Sequence, residues 1–195
     1  MKKKIIIIGP GAIGSMVAYF LSRENHAIEF HNQNGPTSHQ FYSNYQDKKE
    51  SHHFALLPKN EIILTLICVK GHNLKEALSY AHGLTPPHLP KLILCNGQIE
   101  EFLTPYEKNN FFLSLAFIGC KKMKENIYFS SNKNSLIFYP KEISLPISLP
   151  FPFQPSEKIH EIYLKKLLFN RTLNCLGAHL QWEKNGMALS YKKIL

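Results

Sequence analysis

The chain has 195 residues, 44% of them hydrophobic and 19% charged, which suits one sizeable buried core with a small appendage and excludes a disordered or fibrous polypeptide. Its 23 Lys and Arg against 14 Asp and Glu give a formal charge of +9, a surplus that attracts phosphates. The lysines fall as short pairs along the whole chain, with no basic stripe interleaved with aromatics and no zinc-finger or helix-turn-helix pattern, so no nucleic-acid partner is expected.

The chain opens MKKKIIIIGPGAIGSMVAYFL. Ile5 to Ile8 lacks polar alternation, as a central parallel strand covered on both faces does, and Ala12 to Leu21 reads as a helix. A basic start before apolar residues imitates a secretory signal. Here Gly9, Pro10, Gly11 and Gly14 break the run where a strand-to-helix turn needs them, and no stretch approaches the ~20 apolar residues of a membrane span. A cytoplasmic protein without a membrane partner is expected. Ala27 to His31 reads as a second strand. Asn32 to His53, polar and rich in Asn, Gln, His and Ser, predicts loop or weak structure. Glu61 to Lys70 is a strong strand, Asn73 to Ala81 a helix, and Lys91 to Cys95 a short buried strand after the rigid connection at Pro86, Pro87 and Pro90. Strand and helix alternating in this way imply right-handed crossovers and a parallel sheet.

Beyond residue 95 the pattern changes. Phe111 to Cys120, Asn126 to Ser130 and Ser135 to Tyr139 read as three strands too closely spaced for crossover helices, and so as antiparallel edge strands that extend the sheet. Five prolines from Pro140 to Pro155 predict an extended linker packed by its phenylalanines. Ser156 then caps a helix from about Glu157 toward His179, on which Lys166, Asn170 and Asn174 recur every four residues and share a face. Cys68, Cys95, Cys120 and Cys175 share no CxxC spacing, so no metal site is expected, and the first two read as buried thiols in a reducing compartment.

The glycines carry the chemistry. Gly9 permits the tight turn, Gly11 lets a pyrophosphate approach the backbone, and Gly14 lets the helix pack on the strand; with Ala12 and Ile13 they form the helix start whose free N–H groups receive negative charge. A glycine turn without a ligand is the structural alternative. The fold class is therefore α/β: a Rossmann-like parallel sheet with an antiparallel extension at 1–155, followed at 156–195 by the first helix or helices of an incomplete α-helical domain. Where NAD-selective sites place an acid at the end of the second strand, this chain has Asn32, followed by Gln33, while Glu29 comes earlier and faces packing or solvent. A neutral residue does not repel a 2′-phosphate, so NADP (NADPH) is the expected cofactor. His31 and Lys48 are further candidates to approach that phosphate, with surface loop positions as their alternative.

Four stretches in order, GPGAIG at 9–14, LICVKGHNLKEAL around Lys70, LILCNGQIEEFL around Asn96 and Gly97, and KKLLFNRTLNCLGAHL around Lys166, resemble the ketopantoate reductases (2-dehydropantoate 2-reductases). That family reduces a 2-oxo acid with NADPH on the route to pantothenate. The resemblance implies that Lys166 hydrogen-bonds the ketone oxygen and delivers its proton, and that Asn170 and Asn174 bind the carboxylate or hydroxyls of the substrate. It implies that Asn96 orients nicotinamide or substrate, and that Lys70 positions cofactor or substrate. A solvated lysine, an Asn-Gly turn and polar contacts within a helical domain are the respective structural alternatives. Family members continue past this helix into a mainly helical domain. The resemblance therefore implies a cleft that lacks one wall in this chain, completed by a second copy or a separate C-terminal chain, with a noncatalytic NADP(H)-binding module as the alternative. An apolar face exposed there would favour dimerisation. Two further departures are Tyr139, where the family usually has glycine, and the proline-rich stretch in place of a crossover helix.

Overall fold

The computed structural model describes residues 3–45, 48–57, 61–97, 99–124, 127–130 and 135–179. The chain divides into two units, Met1–Ile159 and His160–Leu195.

The first unit begins with β1 (Lys3–Ile8), α1 (Ala12–Ser22), β2 (Ala27–Asn32) and β3 (Gly35–Thr37). A hairpin follows, β4 (His39–Tyr45) and β5 (Lys48–Phe54), then β6 (Glu61–Ile67), a 3-10 turn over Gly71–Asn73, and α2 (Leu74–Leu84). Next come β7 (Lys91–Ile93), the short α3 (Glu100–Leu103) with a 3-10 segment at Thr104–Asn109, and β8 (Phe111–Leu113). The unit closes with β9 (Leu115–Phe117), β10 (Cys120–Lys124), β11 (Ile127–Ser130), β12 (Leu136–Pro140) and β13 (Phe153–Ser156).

The main sheet has the order β3-β2-β1-β6-β7-β8. Every pairing in it is parallel except β2 with β3. β1 sits at its centre because all of Ile5 to Ile8 is buried, each isoleucine contributing about 1.5–3 kcal/mol of transfer free energy. Successive side chains alternate faces. Ile5 and Ile7 join Met16, Val17, Tyr19 and Phe20 of α1 in one cluster, while α2 buries Leu74, Ala77, Leu78 and Ala81.

Three expectations are corrected. Residues 32–53 hold strands, not loop: β4 and β5 pair antiparallel from His39↔Phe54 to Tyr45↔Lys48. Their period-2 signal is hidden because two of the inward residues are polar. His39 and Ser43 are buried beside Phe41 and find partners in Ser15 and His52, each at 2.8 Å. The strands after residue 110 do not extend the main sheet in antiparallel fashion. β8 joins it parallel to β7, because the helical turns at 100–109 supply a crossover. The remaining strands build two small sheets, β10-β11-β4-β5 and β13-β12-β9. The proline-rich stretch is not linker to its end, since β13 pairs parallel with β12, with Pro155 opposite Tyr139. β13 is an edge strand, where a missing N–H is tolerated.

The second unit is described as far as residue 179 and consists there of α4, whose bounds are Ile159–His179. Leu164, Leu168, Phe169 and Leu176 on it are exposed. Among the described residues no helix is long and apolar enough to cross a membrane.

Candidate dinucleotide site

The C-terminal ends of β1, β2 and β6 meet at one rim. Gly9 N donates to His31 O at 2.9 Å, and Cys68 N donates to Ile8 O at 2.8 Å, so the chain leaving β1 is pinned between its neighbours. Gly9 turns there with φ of +104°, and a Cβ would stand 2.8 Å from Cys68 O. A Cβ on Gly14 would collide with the carbonyl oxygen of Gly9, so strand end and helix are in direct backbone contact. Gly11 differs: its φ of −93° suits any residue, and a Cβ there would meet nothing within 4 Å. The space above Gly11 is open, which is the cradle a diphosphate needs beside the unpaired N–H groups of a helix start. Ala12 and Ile13 form the first turn of α1 and are half-buried.

Beside this turn lies a cavity of about 460 Å³. β1 and its turn give it Ile8, Gly9 and Pro10; the β2–β3 turn gives Asn32, Gln33 and Asn34; Val69, Asn73, Glu76, Ala77 and Tyr80 come from the segment after β6 and from α2. Asn32 thus stands where its sequence position predicts. Its Oδ1 accepts from Asn34 N at 2.7 Å, which shapes the turn. The α2 contribution was missed in the sequence reading, although positions 73, 76, 77 and 80 follow the i, i+3, i+4, i+7 spacing of one helix face.

His31 does not reach the cavity as an independent phosphate ligand. It is 2% exposed, with Nδ1 2.7 Å from the Tyr80 hydroxyl and Nε2 2.9 Å from Glu29 Oε1. Glu29 is buried in an ion pair with Lys4 at 2.7 Å and accepts from Leu57 N at 3.0 Å. Burial alone would raise its carboxyl, but the bonds from Lys4, His31 and Leu57 outweigh it and hold the group below the usual carboxylate range. The side chain of Lys48 lies outside the described residues.

Lys70 and Asn96 are exposed on the segments following β6 and β7, and a Cβ on Gly71 would lie 3.5 Å from Asn96 O, so the two segments are adjacent. Neither residue lines the cavity. Lys166, Asn170 and Asn174 belong to the second unit, on one face of α4, with the first two half-buried and the third exposed. Ser15 suggests a Ser–His pair with His39, but its hydroxyl hydrogen goes to Gly11 O at 2.8 Å, so it accepts from His39 Nε2 and is a brace rather than a nucleophile. Burial pushes the Cys68 thiol well up, consistent with the buried thiol expected there. Among the described residues no cluster of His, Cys, Asp or Glu suits a metal ion.

A parallel sheet, a glycine turn opening onto a helix start and a cavity at the strand ends define a Rossmann-type dinucleotide-binding domain. The family model for ketopantoate reductase PanE/ApbA matches residues 5–138, more than half of the chain, and the chain belongs to that family. No curated protein matches the sequence. Among solved structures, the chain is similar to a D-mandelate dehydrogenase determined with NADH and anilino(oxo)acetate, with a TM-score of 0.73, 16% identity, and coverage of 91% of this chain and 64% of that one. It is also similar to a dimeric ketopantoate reductase from Staphylococcus aureus (TM-score 0.69, 16% identity, coverage 90% and 62%). A third is a PanE/ApbA family ketopantoate reductase from Ralstonia eutropha JMP134 (TM-score 0.63, 17% identity, coverage 88% and 61%). The chain therefore spans less than two thirds of the length of these three solved relatives. At such identities the likeness is one of fold.

Proposed function

We propose that this chain binds NADPH and reduces a 2-oxo acid, with ketopantoate as substrate and pantoate as product. The observation that carries the reading is the open space above Gly11, framed by two glycines whose Cβ positions are blocked by backbone. Family membership supports the reaction class. So does the oxoacetate ligand of the similar D-mandelate dehydrogenase. A preference for NADPH follows from Asn32, neutral where an acid would repel a 2′-phosphate.

When bound, the reduced nicotinamide supplies hydride to the carbonyl carbon. In this reading Lys166 donates its proton to the carbonyl oxygen as alkoxide character develops there, and its charge lowers the barrier. Asn170 and Asn174 hydrogen-bond the carboxylate or hydroxyls of the substrate. Asn96 orients nicotinamide or substrate through its amide, and Lys70 positions them.

The test is ketopantoate-dependent NADPH oxidation by the purified full chain. Lys166→Ala is expected to lower kcat by about 100- to 10,000-fold with NADPH affinity changed less than about twofold. Equal losses of affinity and rate would show that Lys166 holds cofactor rather than a reacting atom. NADPH binding without any ketopantoate-dependent oxidation would reassign the chain to a dinucleotide-binding module.

A further inference from the structure

The cavity and a 2′-phosphate do not match in charge. Among the described residues that line it there is one ionisable carboxylate, Glu76, and no lysine, arginine or histidine. A 2′-phosphate brings nearly two further negative charges at neutral pH. Two basic groups of β1 and β2 are committed elsewhere: Lys4 is paired with Glu29 at 2.7 Å, and His31 is held between Glu29 and Tyr80. Asn32 taken alone tolerates the phosphate, but the lining as a whole offers it no cation.

What the lining does offer is amides and one acid. Asn32, Gln33 and Asn34 come from the turn that ends β2, where the adenosine ribose of a dinucleotide is held in this type of fold. Asn73 and Glu76, spaced i and i+3, come from one face at the start of α2. Asn32 Oδ1 is already engaged, accepting from Asn34 N at 2.7 Å. Glu76 is exposed and makes no hydrogen bond or ion pair among the described residues, so both of its oxygens are available. Two vicinal ribose hydroxyls need two acceptors, and a single carboxylate supplies them as charge-assisted bonds. Glu76 also stands in the first turn of α2, where its charge offsets the partial positive charge that a helix start would otherwise present to a phosphate. Ile8, Val69 and Ala77 add an apolar wall against which a purine ring can lie.

We propose that Glu76 of α2 takes the part of the acid missing at the end of β2: it accepts the ribose hydroxyls of an unphosphorylated adenosine, so that the cavity holds NADH in preference to NADPH. The proposal rests on the dinucleotide reading above and keeps its reaction. It changes which reduced dinucleotide binds more tightly, because the acid that Asn32 lacks enters the same cavity from a different element.

The experiment is calorimetric titration of the full chain with NADH and with NADPH at about 0.15 M salt, where the Debye length is ~8 Å and distant lysines of this +9 chain are screened. NADH is expected to bind at least about tenfold more tightly than NADPH. Glu76→Gln removes the charge and keeps the shape. It is expected to weaken NADH by about 3- to 30-fold, to strengthen NADPH, and to bring the two affinities within about threefold. Glu76→Arg is expected to place NADPH ahead of NADH. Since Glu76 is exposed and unpartnered, neither substitution threatens the fold, and a merely helix-stabilising role would not move the ratio between the two ligands. NADPH binding as tightly as NADH or more tightly would overturn the proposal and leave the preference argued from Asn32 standing. A ratio unchanged in Glu76→Gln, or an order unchanged in Glu76→Arg, would overturn the role of Glu76 while leaving dinucleotide binding intact. Binding of neither ligand would overturn the dinucleotide reading itself.

Discussion

At the scale of single residues, the three glycines of the first turn have separable tasks. Gly14 is fixed by what already surrounds it: its missing side chain is the space occupied by the Gly9 carbonyl. Nothing in the protein requires glycine at Gly11, since its backbone is extended and a Cβ there would meet nothing within 4 Å. Substitution should therefore split folding from binding. Gly14→Val is expected to destabilise the chain by about 1–3 kcal/mol through forced repacking, a Tm loss of roughly 2–12 °C at this chain length. Gly11→Val is expected to leave the Tm within about 2 °C and to abolish dinucleotide binding, because its side chain fills the place of the diphosphate. Thermal melts with and without NADPH check both. A Gly11→Val variant that binds normally would remove the cradle argument.

At the scale of elements, β7 shows how a strand only three residues long is held in a central position. Lys91 at its start is fully buried, and its Nζ donates to the carbonyls of Pro86, Leu89 and Asn109, with the Phe111 ring 5.1 Å away. One ammonium thus ties the α2–β7 connection to the end of the 100–109 crossover. Burial pushes the Lys91 pKa down to about 8, whereas in the unfolded chain it is near ~10.4. Between those values the unfolded state binds more protons, so this group makes stability rise with pH from about 8 to 10. That gain is expected in denaturant titrations of the parent chain and is expected to be absent in Lys91→Met, which should also be less stable at pH 7 by about 1–3 kcal/mol through lost hydrogen bonds. Sequence patterning carried β1, α1, β2, β6, α2 and β7 because their buried faces are apolar and their periods clean. It failed at β4 and β5, where His39 and Ser43 face inward and are satisfied by Ser15 and His52. It failed again at 100–109, where irregular helical turns replace a full crossover helix and leave little periodic signal. The glycines and Asn32 were legible because the first turn and the end of β2 are fixed in sequence distance. Tyr80 was not, because its place in the cavity wall and its bond to His31, 49 positions away, come from the tertiary fold.

At the scale of the whole molecule, every residue that lines the cavity lies within the Met1–Ile159 unit, whereas Lys166, Asn170 and Asn174 lie in the other. In the reading proposed above, the first unit captures the dinucleotide and Lys166 of the second delivers the proton. A ligand that binds only the folded state at about 100 times its Kd adds ~2.7 kcal/mol, which at 2–4 °C per kcal/mol predicts a Tm rise of roughly 5–11 °C with NADPH. The rise should appear with NADPH alone, before any 2-oxo acid is added. It should survive Lys166→Ala, since that residue lies outside the unit that holds the cavity, and vanish in Gly11→Val. Differential scanning calorimetry of the three chains decides the matter: a shift that is lost with Lys166→Ala would mean that the second unit takes part in holding the dinucleotide, and that capture and chemistry are not divided between the units.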